Sequence, residues 1–306
     1  MFNVQCSMNN ILITSAGKRV VLVQIFQRTL QEMGLDAKVY TTDMRPGMAP
    51  AGIISDGCIP VPRCTADNYI DSLLAICQEK HISVVIPTID TELLVLAESH
   101  QRFMDHGVRL AVPDKAFIRI CRDKRLTKDF FLQAGIAVPK SVDKNHPSFP
   151  MFAKPYDGSL STNIHVIRSA EDLTHDILND PKLIFMEYID RQEYKEFTVD
   201  MYYGLDGCVK GIVPFLLQRL GVLKGVRGCI CLQLFFRETD GDVKGIEINP
   251  RFGGGFPLSY YAKANYAEYL IREYLLGETV DYSEAWLDRT LMLRYDNDII
   301  VYDAEE

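Results

Sequence analysis

Three polar side chains alternate with apolar ones in the segment GIEINPRFGG, residues 245–254. Glu247, Asn249 and Arg251 are two residues apart, so an extended strand would place all three on one face. A polar row backed by isoleucines is also typical of any half-solvated strand. However, a carboxylate and a carboxamide are oxygen ligands for Mg²⁺, and a guanidinium binds phosphate through two hydrogen bonds. The choice of groups therefore favours a place where a metal ion and a phosphate meet.

The strand-like run CICLQLFF, which precedes this segment, carries one polar residue, Gln233. A buried glutamine needs hydrogen bonds or a metal ion. An Asp-Gly turn at residues 240–241 predicts a hairpin, which can bring the Gln233 oxygen near Glu247 and Asn249. Three oxygen ligands on paired strands fit Mg²⁺, with triphosphate oxygens completing the octahedron.

The segment FAKPYDGSLSTN, residues 152–163, places Lys154 at the end of a β run. The small-residue loop that follows includes Ser159 and Ser161, and its hydroxyl and N–H groups are suited to wrap phosphates. A lysine inside an apolar strand end needs a partner for its charge. A surface lysine with its stem along apolar atoms is the alternative.

The segment LIFMEYID, residues 183–190, joins a β run to a linker. Its backbone groups suit recognition of an adenine edge, but core packing explains the apolar residues equally well. Two carboxylates that follow, Glu193 and Glu196, either bond a ribose hydroxyl or solvate a strand.

The composition excludes several classes of function. The chain has 306 residues and a net charge of −8, which argues against a broad nucleic-acid surface. It has no apolar run of the roughly 20 residues that a membrane span needs, and the N-terminus has no signal-peptide pattern, so we expect a cytoplasmic protein. Eight cysteines without CxxC spacing make a zinc site improbable. Cys229 and Cys231 are expected in the core.

Strand-like and helical patterns alternate in the first third of the chain. Runs such as NILIT and ISVVIPT, separated by helical periodicity, predict βαβ units and a parallel sheet. The second half contains runs such as EFTVDMYY and DVKGIEIN, several joined by turn residues, which predict an antiparallel sheet with added helices. The fold class is therefore α/β followed by α+β. Helices are predicted over residues 18–33, 68–80, 90–105 and 266–276.

The segment TSAGKRV, residues 14–20, follows the first strand but is not a Walker A loop. Leu12 and Arg19 stand where that motif needs a glycine and a Ser or Thr. The absence of a GxGxxG fingerprint disfavours a dehydrogenase. The strand–Gly–helix junction either holds an anion at the helix N-terminus or is simply a tight turn.

Taken together, these motifs resemble the ATP-grasp superfamily, most closely single-module relatives of the carbamoyl-phosphate synthase large subunit. The patterns DK…AGI.VP, F.KP..GS.S and Q…E.NPR carry the resemblance, which covers nearly the whole chain. It implies a Rossmann-like pre-ATP-grasp domain over residues 1–114, followed by the two-subdomain ATP-grasp fold. The two subdomains would cover residues 115–186 and 187–306, the second with a C-terminal helix.

The resemblance also assigns roles to individual residues. It implies that Lys124, Lys154, Ser159 and Ser161 bind the phosphates; that Glu187, Tyr188 and Ile189 form the adenine hinge; that Glu193 or Glu196 binds the ribose; that Gln233, Glu247 and Asn249 hold the metal; and that Arg251 and Lys154 act in catalysis. Gly253 to Gly255 are expected to give the backbone room beside the phosphates.

The activity implied is that of a ligase using ATP and Mg²⁺ (or Mn²⁺). It would join small-molecule carboxylate and amine substrates through an acyl-phosphate and release ADP and phosphate. Phosphorylation of carbamate or bicarbonate, as in carbamoyl-phosphate synthesis, and a non-catalytic nucleotide-binding protein are the alternatives. A homodimer is the default expectation.

Three further expectations concern the substrates. In the proteins that this chain resembles, a loop rich in Arg and Gly follows the strand that corresponds to the one ending GIVP, so we expect residues to be missing between Pro214 and Phe215. Ser259 is expected to face the acceptor pocket together with Arg251. Asp90 and Glu92 would either contact a substrate or cap the helix that begins there, and the cap is favoured.

Overall fold

The computed structural model describes residues 9–158, 162–213 and 224–301. Its N-terminal third alternates strands with helices, as the sequence predicts. The elements are β1 (Asn10–Thr14), α1 (Val20–Glu32), β2 (Val39–Asp43), α2 (Pro50–Ile54), β3 (Cys58–Pro60), α3 (Tyr69–Glu79), β4 (Ile82–Pro87), α4 (Asp90–Glu98), α5 (His100–Asp105), β5 (Arg109–Leu110) and α6 (Lys115–Arg122).

The five strands form one parallel sheet in the order β3-β2-β1-β4-β5. Ile11, Leu12 and Ile13 of the central strand β1 are all fully buried. Ile11 and Ile13 pack into one core cluster and Leu12 into another, because successive side chains point to opposite faces. Both faces of the sheet are thus covered, which explains the continuous apolar run.

The second half of the chain supplies antiparallel strands and short helices. The elements are α7 (Lys124–Gln133), β6 (Met151–Pro155), β7 (His165–Ile167), α8 (His175–Asn179), β8 (Leu183–Glu187), β9 (Lys195–Tyr203), β10 (Val209–Val213), β11 (Gly228–Arg237), β12 (Asp242–Asn249), α9 (Phe256–Tyr261) and α10 (Tyr266–Leu270). One sheet has the order β7-β6-β8, with both pairings antiparallel. The other has the order β10-β9-β11-β12, and the predicted turn at residues 240–241 joins its last two strands.

Contacts divide the chain into two compact units. Unit 1 contains the described residues of 1–118, 200–231 and 249–306, and unit 2 those of 119–199 and 232–248. Strands β9, β11 and β12 therefore each contribute residues to both units. The domain boundaries expected from the sequence stay a prediction.

Two predicted helices are interrupted. The helix expected over residues 90–105 is divided into α4 and α5 at Ser99, whose backbone (φ −98°, ψ 7°) leaves the helical region. A serine hydroxyl competes with helical hydrogen bonds, which makes such a break inexpensive. The helix expected over residues 266–276 continues from α10 as a π-helical turn, Ile271–Leu276. It ends at Gly277, whose φ of 72° is readily adopted by glycine.

Several expectations concern other parts of the chain. Cys229 and Cys231 are buried, as predicted. The expected gap between Pro214 and Phe215 lies outside the described residues. None of the helices in the described ranges combines the length and the apolar character needed to cross a bilayer.

Candidate functional site

A cavity of about 190 Å³ in unit 2 collects most of the side chains singled out by the sequence. It lies among strands β6, β8, β11 and β12 and the start of α7. The predicted residues that line it are Lys124, Lys154, Glu187, Tyr188, Ile189, Glu196, Gln233 and Glu247. Ser159 and Ser161 lie outside the described residues.

Lys124 is the first residue of α7 and is fixed at both ends. Asp123 caps the helix by accepting a hydrogen bond from the Arg125 backbone N–H at 2.9 Å. The Lys124 backbone N–H donates to the Tyr156 carbonyl at 2.8 Å. Its Nζ donates to the Gly158 carbonyl at 2.5 Å, which directs the ammonium group toward the cavity.

Lys154 lies on β6 between two buried residues. Met151, Ala153 and Pro155 alternate along this strand as buried positions, and Lys154 is partly buried. Burial, and then the nearby positive charge of Lys124, lower the pKa of Lys154 to about 8. Glu247 and Glu196 oppose this shift without cancelling it. The cavity thus holds a desolvated ammonium that gains stabilisation from any anion placed beside it.

Glu187 has its carboxylate occupied by other protein groups. Its Oε1 accepts hydrogen bonds from the Lys140 backbone N–H at 3.0 Å and from Lys244 Nζ at 3.1 Å. Its own backbone N–H donates to the Lys140 carbonyl at 2.8 Å. These contacts hold the hinge segment in place, which leaves Tyr188 and Ile189 to line the cavity.

The two ribose candidates behave differently. Glu196 lines the cavity and forms an ion pair with Arg191, whose Nη2 is 3.2 Å from its Oε2. Glu193 is not among the lining residues, and its Oε2 accepts from Arg237 Nη1 at 3.4 Å. The geometry therefore favours Glu196 over Glu193 as the residue that would bind the ribose.

The predicted metal ligands belong to different units. Gln233 of β11 and Glu247 of β12 both line the cavity in unit 2. Asn249 ends β12 and is counted with unit 1, where its Oδ1 accepts from Arg251 Nη2 at 3.2 Å. No group of three His, Cys, Asp or Glu side chains within the described ranges is arranged to hold a metal ion.

Arg251 is tied to Asp90 in unit 1. Its Nη2 donates to Asp90 Oδ2 at 2.9 Å, and Nη1 donates to the Phe252 carbonyl at 3.2 Å. Asp90 is therefore an ion-pair partner and not the helix cap that was expected. The helix-capping role belongs to Glu92, whose Oε1 accepts from the backbone N–H groups of Thr88 and Ile89.

Ser259 and Asp200 form a buried pair in unit 1. Ser259 Oγ donates to Asp200 Oδ2 at 2.7 Å, and both residues are buried. Burial raises the pKa of Asp200 to about 6, although the hydrogen bond from Ser259 opposes the shift. The hydroxyl of Ser259 is engaged by this carboxylate, whereas the sequence suggested an acceptor pocket.

Sequence reasoning missed part of the cavity wall. Phe152 precedes Lys154 by two residues, and Phe235 follows Gln233 by two, so the two-residue period of a strand could have found both. No comparable signal exists for the wall residues outside helices and strands, namely Thr162, Ile164 and Arg191. A second cavity of about 290 Å³ shares Lys124 and Lys154 with the first.

Comparisons with known proteins agree with this architecture. The family model for the PylC-like N-terminal domain matches residues 11–111. No curated protein matches the sequence.

Solved structures match most of the chain. The biotin carboxylase domain of 2-oxoglutarate carboxylase from Hydrogenobacter thermophilus, a dimer in complex with MgADP, ADP and bicarbonate, has a TM-score of 0.67 at 16% identity, over 91% of this chain and 72% of that one. N5-carboxyaminoimidazole ribonucleotide synthetase from Thermotoga maritima has a TM-score of 0.62 at 18% identity, over 90% and 78%. An L-amino acid ligase from Bacillus licheniformis has a TM-score of 0.61 at 18% identity, over 87% and 74%. At these identities the likeness establishes the fold.

Proposed function

Given that this chain has the ATP-grasp fold with an N-terminal domain before it, we propose that it is an ATP-dependent ligase joining a carboxylate to an amine. One observation carries the proposal. Two lysines, Lys124 and Lys154, share a cavity with the oxygen-bearing side chains of Glu196, Gln233 and Glu247. Cationic groups beside oxygen ligands suit a nucleotide triphosphate accompanied by a divalent cation.

The lysines would act on the phosphates. A carboxylate and a triphosphate are both anions and repel each other, so their approach needs positive charge. Lys124 and Lys154 supply it in a partly desolvated cavity, where electrostatic stabilisation is stronger than in water. Lys154 in particular is a better phosphate partner than a solvated lysine, because burial already disfavours its charge when no anion is bound.

The donor set fits Mg²⁺. Gln233 and Glu247 offer oxygens from paired strands, and Asn249 follows Glu247 by two residues on the same strand. A single carboxylate among these three donors suits a hard cation that takes its remaining ligands from phosphates and water. When bound, Mg²⁺ would neutralise charge on the phosphates.

The proposed reaction has two steps. A carboxylate oxygen attacks the γ-phosphorus, the bond to the β–γ bridging oxygen breaks, and ADP leaves with that electron pair. The amine nitrogen then attacks the carbonyl carbon of the acyl-phosphate, the C–O bond to phosphate breaks, and the amine loses a proton. Inorganic phosphate and an amide are the products. Arg251, held by Asp90, would stabilise the transferring phosphoryl group.

Nucleotide turnover tests the proposal. The full-length chain is incubated with ATP, Mg²⁺ and separate pools of amino acids, of small carboxylates with amines, and of bicarbonate with ammonia. We expect ADP that depends on one pool and that falls by at least roughly 100-fold in Glu247→Gln. Glu238→Gln is the matched control, since Glu238 is exposed and pairs with Lys195 at 2.8 Å.

The products separate the candidate activities. Formation of AMP would contradict the acyl-phosphate route. ADP formed only with bicarbonate and ammonia would select the carbamate alternative. ATP binding without turnover in any pool would support a non-catalytic nucleotide-binding protein. A cytoplasmic location, a homodimer and the absence of nucleic-acid and membrane partners stay predictions.

A further inference from the structure

The order of the parallel sheet in unit 1 reverses between β1 and β4. The chain proceeds from β1 outward to β2 and β3, and then returns to β4 on the other side of β1. In open α/β sheets, ligands bind outside the carboxyl ends of the strands at such a switch point. A ligand of this sheet would therefore contact the residues that follow β1 and β4.

The turn after β1 adopts a strained backbone that the rest of the unit holds in place. Ser15 has a φ of 51°, which is unusual for a residue other than glycine. Its hydroxyl donates to Glu92 Oε2 at 3.0 Å, and Thr88 Oγ1 donates to its carbonyl at 2.7 Å. Tyr69 also donates to Glu92, at 2.8 Å, so the fully buried Glu92 joins the turns after β1 and β4.

These two turns present Arg19 and Asp90. Arg19 is the last residue before α1, is partly buried, and donates from Nη2 to the Thr88 carbonyl at 3.4 Å. Burial, and then the charge of Arg251, lower the pKa of Arg19; Asp90 opposes this and Arg294 adds to it. The charges of Arg19 and Arg251 also act on the buried carboxylate of Asp200, whose pKa they lower against the effect of burial. Three guanidinium groups thus face two carboxylates, Asp90 and Asp200, which leaves an excess of positive charge in a partly desolvated place.

The arginines retain unused hydrogen-bonding capacity. The buried Nε of Arg251 has no hydrogen-bond partner among the described residues. A Cβ added at Gly254 would lie 3.6 Å from Arg19 Nη1, so the backbone approaches this guanidinium closely. Arg294 donates to the Gly254 carbonyl, which brings the third positive charge to the same backbone segment. A planar anion with two oxygens would satisfy both the charge and the donors.

We propose that Arg19 and Arg251 bind the carboxylate group of the substrate at the carboxyl ends of β1 and β4. Arg19 then determines that this substrate is an anion, and Glu92 positions the turn that carries it. This inference rests on the proposed function, because it identifies the ligand with the carboxylate that the ligase would activate. The sequence pattern TSAGKRV left open an anion at this strand–Gly–helix junction, but it did not indicate Arg19 as the group that binds it.

Carboxylate binding is measured on the full chain without nucleotide, from the rise in melting temperature at constant ionic strength. The probes are sodium propionate, L-alanine and ethylammonium chloride, which carry a carboxylate, both groups, and an ammonium alone. The variants are Arg19→Gln, Arg19→Lys and the matched control Arg28→Gln. Arg28 is exposed on α1, the helix that follows Arg19, and donates a hydrogen bond to the Tyr261 hydroxyl at 3.5 Å.

We expect propionate or L-alanine to give a saturable shift in the wild type and in Arg28→Gln. Arg19→Gln should raise the half-saturating concentration by at least roughly tenfold, and a cooperative melting transition in the absence of any ligand is the test of folding. Arg19→Lys should lose less carboxylate affinity than Arg19→Gln. It replaces the Gln variant if that variant does not fold. A stronger response to L-alanine than to propionate would identify an amino acid, and an equal response a simple carboxylate.

Three results would overturn the proposal: no shift with either carboxylate in the wild type, unchanged binding in Arg19→Gln, or an equal response to ethylammonium and L-alanine. Because the measurement contains no ATP, it is independent of turnover. Carboxylate binding that depends on Arg19, in a protein that forms no ADP, would refute the ligase activity and leave the anion site standing.

Discussion

Arg251 Nη2 lies 2.9 Å from Asp90 Oδ2, although 161 positions separate the two residues in the chain. Their side chains are 15% and 18% exposed, so the pair is largely removed from water. The sequence predicted a phosphate-binding role for Arg251 from its position after Glu247 and Asn249. It gave no indication of Asp90 as a partner, because the contact depends on the return of the chain to the end of β4.

Asp90→Asn should destabilise the protein. The substitution leaves the Arg251 charge without its partner in a partly desolvated place, and we expect a loss of about 1–3 kcal/mol in the free energy of unfolding. Chemical denaturation measures it. Asp71→Asn is the control, since its pair with Arg102 is exposed and should contribute less than about 1 kcal/mol. Equal losses in the two variants would show that the Asp90 pair contributes no more than a surface ion pair.

ATP affinity should fall above pH 8 because Lys154 loses its proton. Its pKa is lowered from the usual value to about 8, chiefly by burial. Below that pH the ammonium is present in the free protein, and above it ATP binding must also take up a proton. A plot of log Kd against pH should therefore be flat below about 8 and rise above it. Lys154→Arg keeps the charge throughout and should remove this component. A break of the same size near pH 8 in the arginine variant would exclude Lys154 as its source.

Lys154 also makes the free energy of unfolding depend on pH. Between about pH 8 and its unfolded-state pKa, Lys154 binds fewer protons in the folded than in the unfolded state. Its contribution is thus unfavourable at neutral pH and is relieved as the pH rises through this window. The stability of Lys154→Met relative to the wild type should accordingly decrease from pH 8 to pH 10.

Asp200→Asn should gain stability relative to the wild type as the pH rises from 4 to 7. The pKa of Asp200 is raised to about 6, chiefly by burial, so the folded state holds a proton that the unfolded state has released. The wild type therefore loses stability as the pH rises from about 4 to 6, and the loss levels off above pH 6, where both states are ionised. The amide variant does not titrate and avoids that cost. Urea unfolding of both proteins at pH 4, 5, 6 and 7 measures the difference, which we expect to change by roughly 1–3 kcal/mol. A constant difference would mean that Asp200 is not the titrating group.

Gly253→Ala should be far more damaging than Gly254→Ala. An added Cβ at Gly253 would lie 2.9 Å from both Asp200 Oδ1 and Cys231 Sγ, whereas at Gly254 the nearest atom is 3.6 Å away. We expect a loss of about 1–3 kcal/mol for the first and less than about 0.5 kcal/mol for the second. Thermal unfolding of the two single variants checks this. Equal effects would show that the close approach at Gly253 imposes no steric requirement.

Local patterns predicted the secondary structure and the fold well. Continuous apolar runs identified the buried strands β1 and β4, and the Asp-Gly turn identified the hairpin of β11 and β12. The break at Ser99 was missed because the helical periodicity continues across it. Similarly, no periodic signal distinguishes the π-helical turn after Leu270 from an ordinary helix.

The site was predictable where chemistry and strand period agree. Lys154, Gln233 and Glu247 are polar residues in apolar strands, and all three line one cavity. Long-range partners were not predictable. The contact of Lys244 with Glu187, and the convergence of positive charge on Arg19, depend on residues far apart in sequence.

The most direct test of the central claim follows the oxygen atoms of the substrate. The carboxylate that supports ADP formation is labelled with ¹⁸O, and the released phosphate is analysed by mass spectrometry. If the reaction passes through an acyl-phosphate, one labelled oxygen appears in inorganic phosphate for each amide formed, because the bond to phosphorus is made by the carboxylate oxygen. Label in AMP, or amide formed with unlabelled phosphate, would contradict the account.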